Sequence, residues 1–146
     1  MEQAIIQPKK ITYKRVAAVV ERAMELFGLL EWVYCLELVD GKEATAPDSD
    51  KPCIGWVETN IARLEIHIVV AIDHTWPDVV ETVIHELIHV VLRSVDVVVD
   101  MMGDQLSPQA ALVCEEMYKT QQEIALRRLE RGITSLLFDE HESPGG

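Results

Sequence analysis

Two histidines and a glutamate with the spacing H-E-x-x-H are the residues of this chain best suited to chemistry. His85, Glu86 and His89 lie within the otherwise apolar segment VIHELIHVVL. Residues four apart share one face of an α-helix, so both imidazoles can bind the same metal ion. Zinc is the usual metal of this motif, and the intervening glutamate then sits beside the metal-bound water. The sequence therefore predicts Zn²⁺ bound by His85 and His89, with Glu86 as general base.

A purely structural role for these three residues is the alternative interpretation. Their neighbours are Val, Ile and Leu, and burying three polar groups in such a helix costs several kcal/mol unless something satisfies them. A metal ion would satisfy them, so the context favours a metal site.

A catalytic zinc site needs a third protein ligand. One zinc-protease pattern places a glycine three residues and a ligand six residues after the second histidine, but Leu92 and Val95 occupy those positions. The only histidine further along the chain is His141, in a polar C-terminal segment. A glutamate on the next helix is the remaining common solution.

The next predicted helix begins at Ser107-Pro108, an N-cap followed by a first-turn proline. It carries three candidate ligands, Glu115, Glu116 and Glu123. On a helical wheel Glu115 lies within the apolar stripe and Glu123 near its edge, whereas Glu116 lies further out. Geometry alone therefore favours Glu115.

The order of the predicted elements indicates an α+β fold. A helix, three strands of one small sheet, the helix of the motif and a long C-terminal helix are expected in that order. Their predicted ranges are 13–27, then 32–39, 53–57 and 61–70, then from a cap at Thr75 to about Leu92-Arg93, and last 108–136. We expect one domain over residues 1–137 and a flexible tail over 138–146.

Composition limits the function classes and the compartment. The net charge of −12 argues against nucleic acid as a partner, because phosphate binding requires a positive field. The chain has neither an apolar stretch of membrane-helix length nor a secretory-signal pattern at its start. Three widely spaced cysteines favour free thiols in a reducing compartment. We expect a cytoplasmic protein.

Four segments resemble the small phage-encoded metallopeptidases, minimal gluzincins of the zincin type. These segments are GLLEW (28–32), LEIHI (64–68), VIHELIH (83–89) and EIALRRLER (123–131). The resemblance implies a zincin-like fold, a peptide or protein substrate and the host cytoplasm as location. It also implies that Glu123, the leading glutamate of the last segment, is the third zinc ligand.

Other residues have expected supporting roles. Tyr118, His74 and His67 are candidates for stabilising an oxyanion, although each also suits a structural role. Glu81 lies four residues before His85 and is a candidate to orient it, although a solvated surface glutamate is the plainer interpretation.

The strand at 61–70 is predicted to be an exposed sheet edge that pairs with an extended peptide substrate. The alternative function is a non-catalytic metal-binding interaction or regulatory protein of a phage or prophage. An intact Glu86 favours the enzyme, because a structural metal site requires no base at that position.

Overall fold

A computed structural model describes residues 10–47 and 51–141 of the chain. The described residues form three helices and three strands, which confirms the predicted α+β class. In chain order these are α1 (Tyr13–Leu26), β1 (Val33–Val39), β2 (Gly55–Asn60), β3 (Glu65–Ala71), α2 (Trp76–Gly103) and α3 (Pro108–His141). Helix α1 begins at the N-cap Thr12, and the chain turns away after it at Gly28, whose φ is +71°.

The three strands form one mixed sheet in the order β1-β3-β2. Strand β3 pairs in parallel with β1 and antiparallel with β2. The prediction of an exposed edge over 61–70 is therefore wrong, because β3 is the central strand and residues 61–64 form a turn. Ile68, Val69 and Val70 are buried one after another. Because successive side chains of a strand point to opposite faces, both faces of β3 are covered, as is typical of a central strand. Strands β1 and β2 occupy the two edges of the described sheet.

One buried cluster joins α1, the sheet, α2 and α3. Val16 and Val20 of α1, Ile66 and Ile68 of β3 and Leu126 of α3 are each at most 1% exposed and belong to it. Helix α2 contributes the largest share, with side chains from Val79 to Val90. The motif helix is thus held by the core along its first half, as a preorganised site requires.

Helix α2 is longer than predicted. It continues beyond Leu92-Arg93 to Gly103 and contains 28 residues, because no glycine interrupts it before that position and its only proline is in the first turn. Its second half packs antiparallel against the first half of α3. None of the described helices is both long and apolar enough to cross a membrane.

Helix α3 also exceeds its predicted range. It runs to His141, beyond the predicted end at residue 136, because no proline precedes Pro144 in this part of the chain. The flexible tail expected over 138–146 stays a prediction, and residues 142–146 lie outside the described residues.

Gly55 marks a close approach between the edge strand and the motif helix. A Cβ atom built on it would lie 2.6 Å from Thr82 Cγ2 and 2.9 Å from the carbonyl oxygen of Val69.

We expect Gly55→Ala to lower the free energy of unfolding by about 1–3 kcal/mol, the usual cost of overpacking, as measured by urea denaturation. Gly132→Ala is the matched control. No atom lies within 4 Å of that Cβ position in α3, so this change should stabilise by up to about 1 kcal/mol. Equal stability of Gly55→Ala and wild type would contradict the close approach.

Candidate metal centre

Helix α2 fixes the two histidines of the motif. Thr75 caps the helix by accepting a 3.3 Å hydrogen bond from the Asp78 amide, and the buried side chains of Ile84, Leu87 and Ile88 anchor it to the core. The imidazoles lie on the side that faces α3, where their side chains are 24% and 28% exposed for His85 and His89. The helix that carries both rings is thus fixed to the core, while the rings themselves stay partly exposed to solvent.

The two imidazoles and one carboxylate converge on a common point. His85 Nε2 lies 3.2 Å from His89 Nε2, and His89 Nε2 lies 3.6 Å from Glu123 Oε1. One ligand atom from each of the three residues lies within 4.8 Å of the other two. Tetrahedral zinc ligands at 2.0–2.1 Å from the metal are about 3.3 Å apart. This donor set could hold a metal ion, and the two shorter separations suit tetrahedral coordination.

The structure distinguishes Glu123 from the other two candidate ligands. Glu115 pairs with Lys119 at 2.8 Å, and Glu116 is exposed; the structure brings Glu123, and not the Glu115 favoured by the helical wheel, to the histidines. Leu129, a member of the predicted apolar stripe, is itself 51% exposed. An apolar position on α3 therefore does not by itself identify the face that meets α2.

A polar network holds α3 to α2 beside the site. The Tyr118 hydroxyl donates to Asp96 Oδ1 at 2.6 Å, and Gln122 Nε2 donates to the same oxygen at 2.7 Å. Burial, together with this bond to Asp96, raises the pKa of Tyr118 to about 12. Gln122 precedes Glu123 in the chain, so the network fixes α3 next to the candidate ligand.

All three candidates for oxyanion stabilisation have partners of their own. The Tyr118 hydroxyl donates its hydrogen bond to Asp96, while His74 Nε2 lies 2.7 Å from the carbonyl oxygen of Lys42. His67 contacts Glu37 at 3.1 Å on the sheet. The structure therefore assigns each of them a structural contact.

Burial lowers the pKa of both motif histidines. Their neutral form at pH 7 is the one that binds metals. Burial also raises the pKa of Glu86 to about 8, with further contributions from the nearby charges of Glu123 and Glu130. Glu86 therefore holds a proton more tightly than an exposed glutamate does.

A cavity of about 310 Å³ opens beside the motif. One wall is formed by Cys53 and Ile54, together with Gly55 at the start of β2. The helices form the others; their lining residues are Asp78, Glu81, Thr82, His85, Glu86 and Glu130. The candidate centre is therefore bordered by an edge strand on one side.

The sequence did not identify Glu130 as a residue of the site. As a whole residue Glu130 is only 7% exposed, and its Oε2 lies 2.6 Å from His85 Nδ1. The signal in the sequence is its position seven residues after Glu123, which places both on one face of α3.

Glu81, expected either to orient His85 or to be solvated, instead hydrogen-bonds to Glu130. This bond, with burial, raises the pKa of Glu81 to about 7.

Comparisons with protein families, with curated proteins and with solved structures found no match for this chain.

The choice of third ligand can be tested by substitution. We expect Glu123→Ala to weaken zinc binding by more than about 100-fold, above the loss typical of a residue outside the coordination shell. Competition with a chromophoric chelator measures this affinity. Glu115→Ala and Glu116→Ala remove exposed carboxylates from the same helix and should bind zinc as wild type does. Equal losses in all three variants would contradict the assignment.

The contact between Glu81 and Glu130 predicts a pH-dependent stability of the metal-free protein. Glu81 has a folded-state pKa of about 7, above its unfolded value of about 4.3, so the folded state binds the proton more tightly. This stabilisation is complete below pH 4 and is lost as the pH rises through 7. In urea denaturation with EDTA, Glu81→Gln should lose less stability than wild type between pH 5 and pH 8. Glu116→Gln controls for the charge change; identical slopes for Glu81→Gln and wild type would contradict this account.

Proposed function

We propose that this protein is a zinc-dependent metallopeptidase of the gluzincin type with a zincin-like fold. The observation that carries the proposal is the convergence of His85, His89 and Glu123, with Glu86 between the two histidines on the same helix. The resemblance of the sequence to small phage-encoded metallopeptidases supports the same function and extends it to a phage or prophage origin.

Zinc suits this donor set better than the other common divalent ions. Two neutral imidazoles and one carboxylate match the ligands of known catalytic zinc sites, whereas magnesium and calcium prefer oxygen ligands alone. His85, His89 and Glu123 would hold the ion and leave a fourth position for water or substrate. When bound, zinc lowers the pKa of a water molecule and polarises the scissile carbonyl.

Glu86 supplies the proton transfers of peptide hydrolysis. Its carboxylate takes a proton from the attacking water, whose oxygen forms a bond to the carbonyl carbon. It then gives that proton to the leaving nitrogen as the C–N bond breaks. The first products are a carboxylic acid, which keeps the second proton of the water, and an amine; at neutral pH that second proton passes to the amine, giving a carboxylate and an ammonium group. The glutamate regains its initial state. Its partial burial places it out of bulk water, which strengthens its interactions in the cleft.

The edge strand β2 offers a binding surface for an extended peptide. Within the described sheet β2 pairs with β3 alone, so its other edge has free backbone donors and acceptors. Its first residue, Gly55, lines the cavity together with His85 and Glu86. A substrate that adds a strand to this edge gains main-chain hydrogen bonds with little demand on its sequence.

Replacing the general base separates metal binding from catalysis. We expect Glu86→Gln to retain zinc and to lose peptide cleavage by about 100- to 10,000-fold, the usual contribution of a positioned base. Turnover of a mixed peptide library, read by mass spectrometry, and zinc content measure the two properties. Glu116→Gln should leave both unchanged. Zinc binding without cleavage by wild type would favour a non-catalytic metal-binding regulator, and absence of zinc would remove both functions.

A further inference from the structure

We propose that Glu130 is a positioning residue that orients His85 for metal binding. It fixes the ring through Nδ1 and leaves Nε2 free to bind the ion. The inference rests on the proposed function and adds to it a residue that the motif does not contain.

The contact between Glu130 and His85 joins two helices. The Oε2 atom lies 2.6 Å from Nδ1 although the residues are 45 positions apart. The side chain of Glu130 is 10% exposed and that of His85 is 24% exposed. A carboxylate so deeply buried requires strong partners, and a short charge-assisted hydrogen bond is such an interaction.

This contact determines which ring nitrogen of His85 carries the proton. A carboxylate accepts hydrogen bonds, so Nδ1 of the neutral ring must be the donor. The lone pair of the ring then lies on Nε2, the atom that faces His89 Nε2 at 3.2 Å. Nε2 is therefore the atom of His85 available to a metal. The negative charge of Glu130 also makes the ring a stronger ligand.

The neighbours of Glu130 hold it in this position. Glu81, one turn before His85 on α2, hydrogen-bonds to its carboxyl group. On α3, Leu126 lies between Glu123 and Glu130 and is completely buried. One rigid helix therefore supplies both the third ligand and the carboxylate that orients the first histidine.

Zinc affinity tests this role with two graded variants. We expect Glu130→Leu to weaken zinc binding by about 10- to 100-fold, as loss of such a partner typically does. In Glu130→Gln the amide oxygen can still accept a hydrogen bond from Nδ1–H of His85, so zinc affinity should fall less than in Glu130→Leu. Glu116→Leu and Glu116→Gln are matched controls on the exposed side of α3 and should bind as wild type does. Unchanged affinity in a folded Glu130→Leu protein would overturn the proposal.

The protonation of His85 in the metal-free protein gives a second readout, independent of zinc. Nitrogen-15 NMR at pH 8 should show the Nδ1–H form in wild type and Glu130→Gln, and the Nε2–H form in Glu130→Leu. An Nε2–H ring in wild type would overturn the proposal even if Glu130→Leu fails to fold. If wild type binds no zinc, the proposed function fails, while the Nδ1–H form and its loss in Glu130→Leu would still support the positioning role.

Discussion

The register of α3 along α2 is the constraint on which the candidate centre depends. Leu126 fixes this register by packing in the core. Tyr118 and Gln122 fix it nearer the surface, through the hydrogen bonds that they donate to Asp96 of α2. A shift of α3 by one residue would rotate its side chains by about 100° and remove both carboxylates from the histidines. The motif on α2 thus becomes a three-residue site only because another helix is held in one position.

The site concentrates negative charge that a cation would neutralise. Glu86 and Glu81 both have raised pKa values, for which burial and neighbouring carboxylates are responsible. Like charges in a partly buried cleft repel one another, so protons are taken up when no metal is present. A divalent ion would replace those protons and favour the folded state that binds it. Its affinity should therefore depend on pH.

Local patterns predicted the helix of the motif better than they predicted what surrounds it. His85, Glu86 and His89 follow from a spacing of four within one helix, and their shared face needs no tertiary information. The third ligand depends on which face of α3 meets α2. The helical wheel favoured Glu115 as third ligand, because a wheel treats every apolar position as buried. The resemblance to known peptidases implied Glu123 instead.

Long-range packing also explains the remaining errors. Glu130 has the sequence features of a surface charge, and only packing against α2 buries it. The central position of β3 likewise depends on pairing with β1 across a long connection, to which alternation of side chains is insensitive. The contacts that complete the site are those between elements distant in the sequence.

Zinc K-edge X-ray absorption of the wild-type protein loaded with one equivalent of Zn²⁺ would show whether His85, His89 and Glu123 hold the ion. We expect one tightly bound ion with nitrogen and oxygen neighbours at about 2.0–2.1 Å, and the outer-shell scattering of two imidazoles. A sulfur neighbour at about 2.3 Å, a shell of oxygen atoms without imidazole scattering, or failure to bind a stoichiometric ion would contradict it.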